Sequence, residues 1–152
     1  MRTKLAVSAA AAALLLAAVP MRAHHSFAAE FDAQKGVKLT GTVTKIEWMN
    51  PHTYFYIDVK EMCEGTPAPQ GQTTDWKCAP TSASSVPNWG LEMGSPNGLM
   101  RQGWTRNSMK IGDTVTVEGS RAKDGSNIGN ARTVSLAGGQ RLFAGSSQTT
   151  NP

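Results

Sequence analysis

The chain has 152 residues, with 15 lysines and arginines against 11 acidic residues, for a formal charge of +4. Three of those basic residues, Arg2, Lys4 and Arg22, fall in the first 23, which hold no acid, so the remaining 129 residues carry only +1. That length fits one domain with a modest core, and so weak a charge excludes the field that attracts nucleic acid or an acidic membrane.

Leu5 to Val19 is an almost unbroken apolar run, ended by Pro20-Met21-Arg22-Ala23. A positive head, an apolar run and a break make the three-part pattern of a secretory signal peptide, and the run is too short for a comfortable membrane span. Residues 1–23 are read as that signal, which predicts a periplasmic or secreted protein with no membrane span once mature. A cut after Ala23 starts the chain at His24-His25-Ser26-Phe27. A cut after Ala28 places Ser26 and Ala28 in the small-residue positions and discards both histidines. Ala23 is favoured, because Ala28 lies well past the apolar run.

Residues 24–35 mix small, charged and aromatic types without a sustained period and read as an N-terminal arm pinned by Phe27 and Phe31. The domain proper is expected over 36–144. Its first strand alternates Val37, Leu39, Gly41 and Val43 against Lys38, Thr40 and Thr42, then slips phase to Ile46 and Trp48, the trace of a bulge. Asn50-Pro51 predicts a turn. A second strand follows over Thr53 to Val59, with Phe55, Ile57 and Val59 on one side and Tyr54, Tyr56 and Asp58 on the other.

Residues 61–87 read as a polar insertion. It contains Cys63 and Cys78, the only cysteines, whose spacing suits a structural disulfide in an oxidising compartment rather than a Cys-x-x-Cys motif. Such a bridge offsets about 3 kcal/mol of loop entropy. Trp89, Leu91 and Met93 alternate with Gly90 and Glu92 as a third strand. Ser95-Pro96 is a capping serine with proline in the first turn of a short helix. Val115 and Val117 mark a fourth strand, Val134 and Leu136 a fifth, and Leu142-Phe143 a last extended piece; residues 145–152 read as a disordered tail. The predicted fold is all-β with one short helix: an OB-like five-stranded barrel in the order β-β-β-α-β-β.

The segment His24-His25-Ser26-Phe27-Ala28-Ala29-Glu30-Phe31-Asp32 resembles the start of a family of small exported bacterial proteins classed as a domain of unknown function. The likeness continues through Leu39 to Val43, Glu47-Trp48-Met49-Asn50-Pro51-His52, Trp89 to Asn97 and Gly112 to Gly119. It implies an exported OB-like domain and no settled activity, and the Cys63–Cys78 insertion departs from it.

The chain has three histidines, His24, His25 and His52. If the arm folds back over the turn, they form a nitrogen donor set, with the α-amine as a further donor. Copper suits such a set best, and Met49 and Met93 are candidate thioether ligands. The expected function is therefore periplasmic metal binding, without an identified catalytic set. The competing reading is an interaction module that holds a protein or small ligand on an aromatic face of Tyr54, Tyr56, Trp48 and Trp89, with no metal. Near-neutral charge argues against nucleic acid on that face.

Overall fold

A computed structural model describes residues 27–67, 73–82 and 84–145. The assigned signal segment, His24, His25 and the tail from residue 146 lie outside the described residues. The protein is mostly β. A short helix α1 (Phe27–Glu30) leads into β1 (Phe31–Glu47), β2 (Tyr54–Pro67), β3 (Thr73–Pro80) and β4 (Asn88–Glu92). A second helix α2 (Pro96–Arg101) then precedes β5 (Thr114–Ala122), β6 (Ile128–Ser135) and β7 (Arg141–Phe143).

Among the described residues, seven strands therefore replace the five expected. The two additional ones have weak sequence patterns for a physical reason. β3 pairs with β2 alone at an edge of the sheet, so much of it faces solvent on both sides and shows no alternation. β7 is three residues long and pairs only with β6. The expected disulfide joins Cys63 to Cys78, which stand directly opposite each other in the β2–β3 ladder. The insertion is thus a stapled hairpin.

Hydrogen-bonded neighbours run β1-β5-β6-β4-β2-β3, and β1 also pairs with β2. Following the pairings from β1 through β5, β6, β4 and β2 therefore leads back to β1. All of these pairings are antiparallel except β4–β6. Val37, Leu39, Val43, Phe55, Ile57, Trp89, Leu91, Val115, Val117 and Val134 share one core cluster. The anticipated phase slip in β1 is real: its register against β2 shifts between Thr40 and Gly41 and again between Val43 and Lys45.

β1 begins five residues earlier than Gly36. Phe31 and Asp32 pair with Ala122 and Arg121, and the register then jumps to Gly36 opposite Ser120. Residues 33–35 bulge out, closed locally by the Gln34 amide donating to Asp32 Oδ1 at 2.9 Å. That bulge hides the strand from a periodicity search. Two glycines make close backbone crossings possible. A Cβ on Gly41 would collide with the Asp58 carbonyl, and one on Gly119 with the Asn130 carbonyl.

The Ser95-Pro96 start of α2 is as expected, with Ser95 Oγ accepting from the Gly98 amide at 3.3 Å and proline in the first turn. The buried Trp104 that follows donates its indole N–H to the Phe143 carbonyl at 2.8 Å, tying the region after α2 to β7.

Candidate metal centre

The site grows out of the turn between β1 and β2. Thr53 is fully buried, and its backbone bonds in both directions: its amide donates to Gly94, and its carbonyl accepts from Met93. These bonds dock the start of β2 on the end of β4. The same register sets Tyr54 opposite Glu92, and His52, two residues earlier, reaches the same carboxylate.

Glu92 is only 6% exposed. Its Oε1 lies 2.5 Å from His52 Nδ1, and its Oε2 accepts a hydrogen bond from the Tyr54 hydroxyl. An ionised carboxylate can only accept, so this contact requires the proton on Nδ1 and leaves the Nε2 lone pair of the neutral imidazole unengaged. A carboxylate behind one ring nitrogen with the other free is the arrangement in which histidines bind metals. Burial, then the bond to Glu92 and the negative charges of Glu92 and Glu30, hold the Tyr54 phenol well above the usual tyrosine range.

Phe31 at the start of β1 lies beside Ala122 of β5, whose neighbour Arg121 pairs with Gly129 of β6; Ile128 and Asn130 flank Gly90 and Glu92 of β4. Three strand steps thus separate the beginning of β1 from the Glu92–Tyr54 pair. Lys123 fastens α1 at the β5 end, its backbone amide donating to Glu30 and its ammonium to the Ala28 carbonyl.

The other candidate residues separate. Met49 is 57% exposed, three residues before His52. Met93 and Trp89 are each 1% exposed and belong to the core. Neither can serve as first supposed: Met93 offers no sulfur to a surface ion, and Trp89 offers no face to a ligand. Trp48 is partly buried against the core. Tyr56 donates to Glu47 at 3.0 Å, Lys45 pairs with Glu47 at 2.6 Å, and the Lys45 ammonium lies 5.0 Å above the Tyr56 ring. The hydroxyls of both tyrosines are thus tied to carboxylates. Glu61 lies close to Cys63 and Cys78, but the disulfide leaves those sulfurs no thiolate to offer.

Glu92 is the site residue that sequence reasoning passed over, reading it only as an outward position of the third strand. The signal for it was an acid set between Gly90-Leu91 and Met93-Gly94 in a strand; its place opposite Tyr54 at the start of β2 is set by the register.

Fold and site together define a small, mostly β, disulfide-stapled protein with a histidine held by a buried carboxylate. No helix among the described residues is long and apolar enough to cross a membrane. The family model described as Family of unknown function (DUF6152) matches residues 11–86 and 78–131, and the chain belongs to that family. Comparison with curated proteins and with solved structures produced no match.

Proposed function

We propose that this protein is a periplasmic or secreted copper-binding protein whose site is built from His52 Nε2 and the N-terminal histidines His24 and His25. In this reading the circuit β1-β5-β6-β4-β2 is an OB-like barrel, and β3 and β7 are additions at its edges. The observation that carries the reading is the His52–Glu92 pair, which fixes the ring tautomer so that Nε2 presents its lone pair. His24 and His25 precede α1 by only a few residues, and the negative charge of Glu30 in that helix is among those that raise the Tyr54 phenol. Exposed Met49 is available as a soft donor for Cu(I); Met93 is not. Glu92 holds His52 from behind and does not itself bind the metal.

The test uses protein recovered from an exporting cell, its N-terminus established by mass spectrometry. Copper affinity is measured by competition with a chelator, and nitrogen coordination by electron paramagnetic resonance. His52→Ala is expected to remove one imidazole from the spectrum and to weaken binding at least tenfold. Glu92→Gln is expected to weaken it about 10- to 100-fold with the ligand set unchanged. Unaltered affinity in His52→Ala, or a mature chain that begins at Ala29, refutes the site.

A further inference from the structure

The bulge of β1, the outer half of the β2–β3 hairpin and the β5–β6 loop line a groove of about 1000 Å³ that includes neither His52 nor Glu92. This volume is at the upper end of small-molecule sites. Its walls carry four cations, Lys35, Lys77, Arg121 and Lys123, against two carboxylates, Glu64 and Asp75. That excess is notable where residues 24–152 carry only +1.

Arg121 is the central feature. Its guanidinium lies over the buried Trp89 ring, 5.5 Å from the centroid. One terminal nitrogen donates to Glu64 Oε1 at 3.1 Å and the other to the Gly125 carbonyl at 3.2 Å, while the buried Nε has no partner. Five N–H donors are thus served by two acceptors. The acceptor from Glu64 is loosely held, since its side chain is 61% exposed against 27% for Arg121. An ion pair with so exposed a carboxylate contributes little and exchanges readily. Among the described residues, the Lys77 side chain has no hydrogen-bond or salt-bridge partner and that of Lys35 has only a 3.9 Å pair with Asp32. Lys123 is committed to Ala28.

We propose that this groove binds a small molecule bearing carboxylate or phosphate groups, with Arg121 as its anchor and Glu64 as the internal carboxylate that the ligand displaces. The flat guanidinium fork matches either oxyanion, and Lys77 and Lys35 add charge from the walls.

Isothermal titration of the full exported chain, stripped of metal and at low ionic strength, tests this with citrate and with inorganic phosphate as probes. Saturable one-site binding of at least one probe is expected, and which one binds identifies the preferred oxyanion. Arg121→Gln should weaken it at least tenfold. Lys77→Glu, at an exposed position of the edge strand, should weaken it severalfold. Glu64→Gln should tighten it severalfold by removing the competitor, while Glu61→Gln, the same charge change on the same strand outside the groove, should leave it unchanged. No saturable binding of either probe overturns the proposal. So does binding indifferent to Lys77→Glu and Glu64→Gln, or equal tightening by Glu61→Gln and Glu64→Gln, which would mark a nonspecific charge effect.

Discussion

Replacing Glu92 by alanine removes the acceptor shared by His52 and Tyr54. Hydrogen bonds to a charged group contribute roughly 1.5–3 kcal/mol each when buried. Here both donors are partly exposed, so water replaces part of what is lost, and relief of the buried carboxylate returns some more. The net cost should fall at about 2–3 kcal/mol, read as a lower urea midpoint at constant slope with tryptophan fluorescence. A cycle with His52→Ala isolates the contact: the double variant should be less destabilised than the sum of the singles by about 1–2 kcal/mol. A cost for Glu92→Ala below about 0.5 kcal/mol, the range of an ordinary surface change, would refute the reasoning. So would strict additivity with His52→Ala, because the carboxylate would then not be holding the ring.

Gly119→Ala drives a methyl into the Asn130 carbonyl and should destabilise by more than about 3 kcal/mol in thermal melts, whereas Gly138→Ala, with open space around it, should stay within about 0.5 kcal/mol. Ser95→Ala removes the cap of α2 and should cost about 1 kcal/mol in the same melts. The chain has two tyrosines, and burial first, then bonding to a carboxylate, raises both. A proton held more tightly in the folded state adds stability that is complete below the unfolded tyrosine value, about 10, and is lost as pH rises toward the folded values. Alkaline titration by tyrosinate absorbance should therefore show both ionising above that value, and stability should decline over the same range; a normal titration in the folded protein would contradict the two carboxylate bonds.

Much of the scaffold was legible because its core faces alternate. Val37 to Val43, Phe55 to Val59 and Trp89 to Met93 announce both strand and inward face. That pattern already placed Trp89 and Met93 beside Leu91, on the buried side, so Met93 as a metal ligand and Trp89 as part of a binding face both conflicted with the alternation that identified the strand. What stayed hidden depends on pairing rather than period. The bulge at residues 33–35, the edge strand β3 and the meeting of Tyr54 with Glu92 all require knowing which strand lies beside which, and at what register. The two tyrosines looked like a platform for the same reason: their positions show the outward face, but only the register shows that Glu92 and Glu47 hold their hydroxyls.

The pairings also supply the sharpest separation between two ways of holding copper. An N-terminal amine with neighbouring histidines binds copper as a flexible peptide does, folded or not. A site that includes His52 exists only when β2 is docked on β4. A ligand that binds only the folded state stabilises it by RT ln(1 + [L]/Kd), about 2.7 kcal/mol at a free concentration of 100 Kd. Binding to both states alike contributes nothing. Copper buffered at 100 times its measured Kd should therefore raise the urea midpoint of the wild-type protein by a free energy between about 1.3 kcal/mol, if the unfolded arm binds tenfold more weakly, and that value, and leave His52→Ala almost unmoved. If copper binds tightly while the wild-type midpoint stays where it was, the arm alone is the ligand, and the His52–Glu92 pair serves the fold rather than the metal.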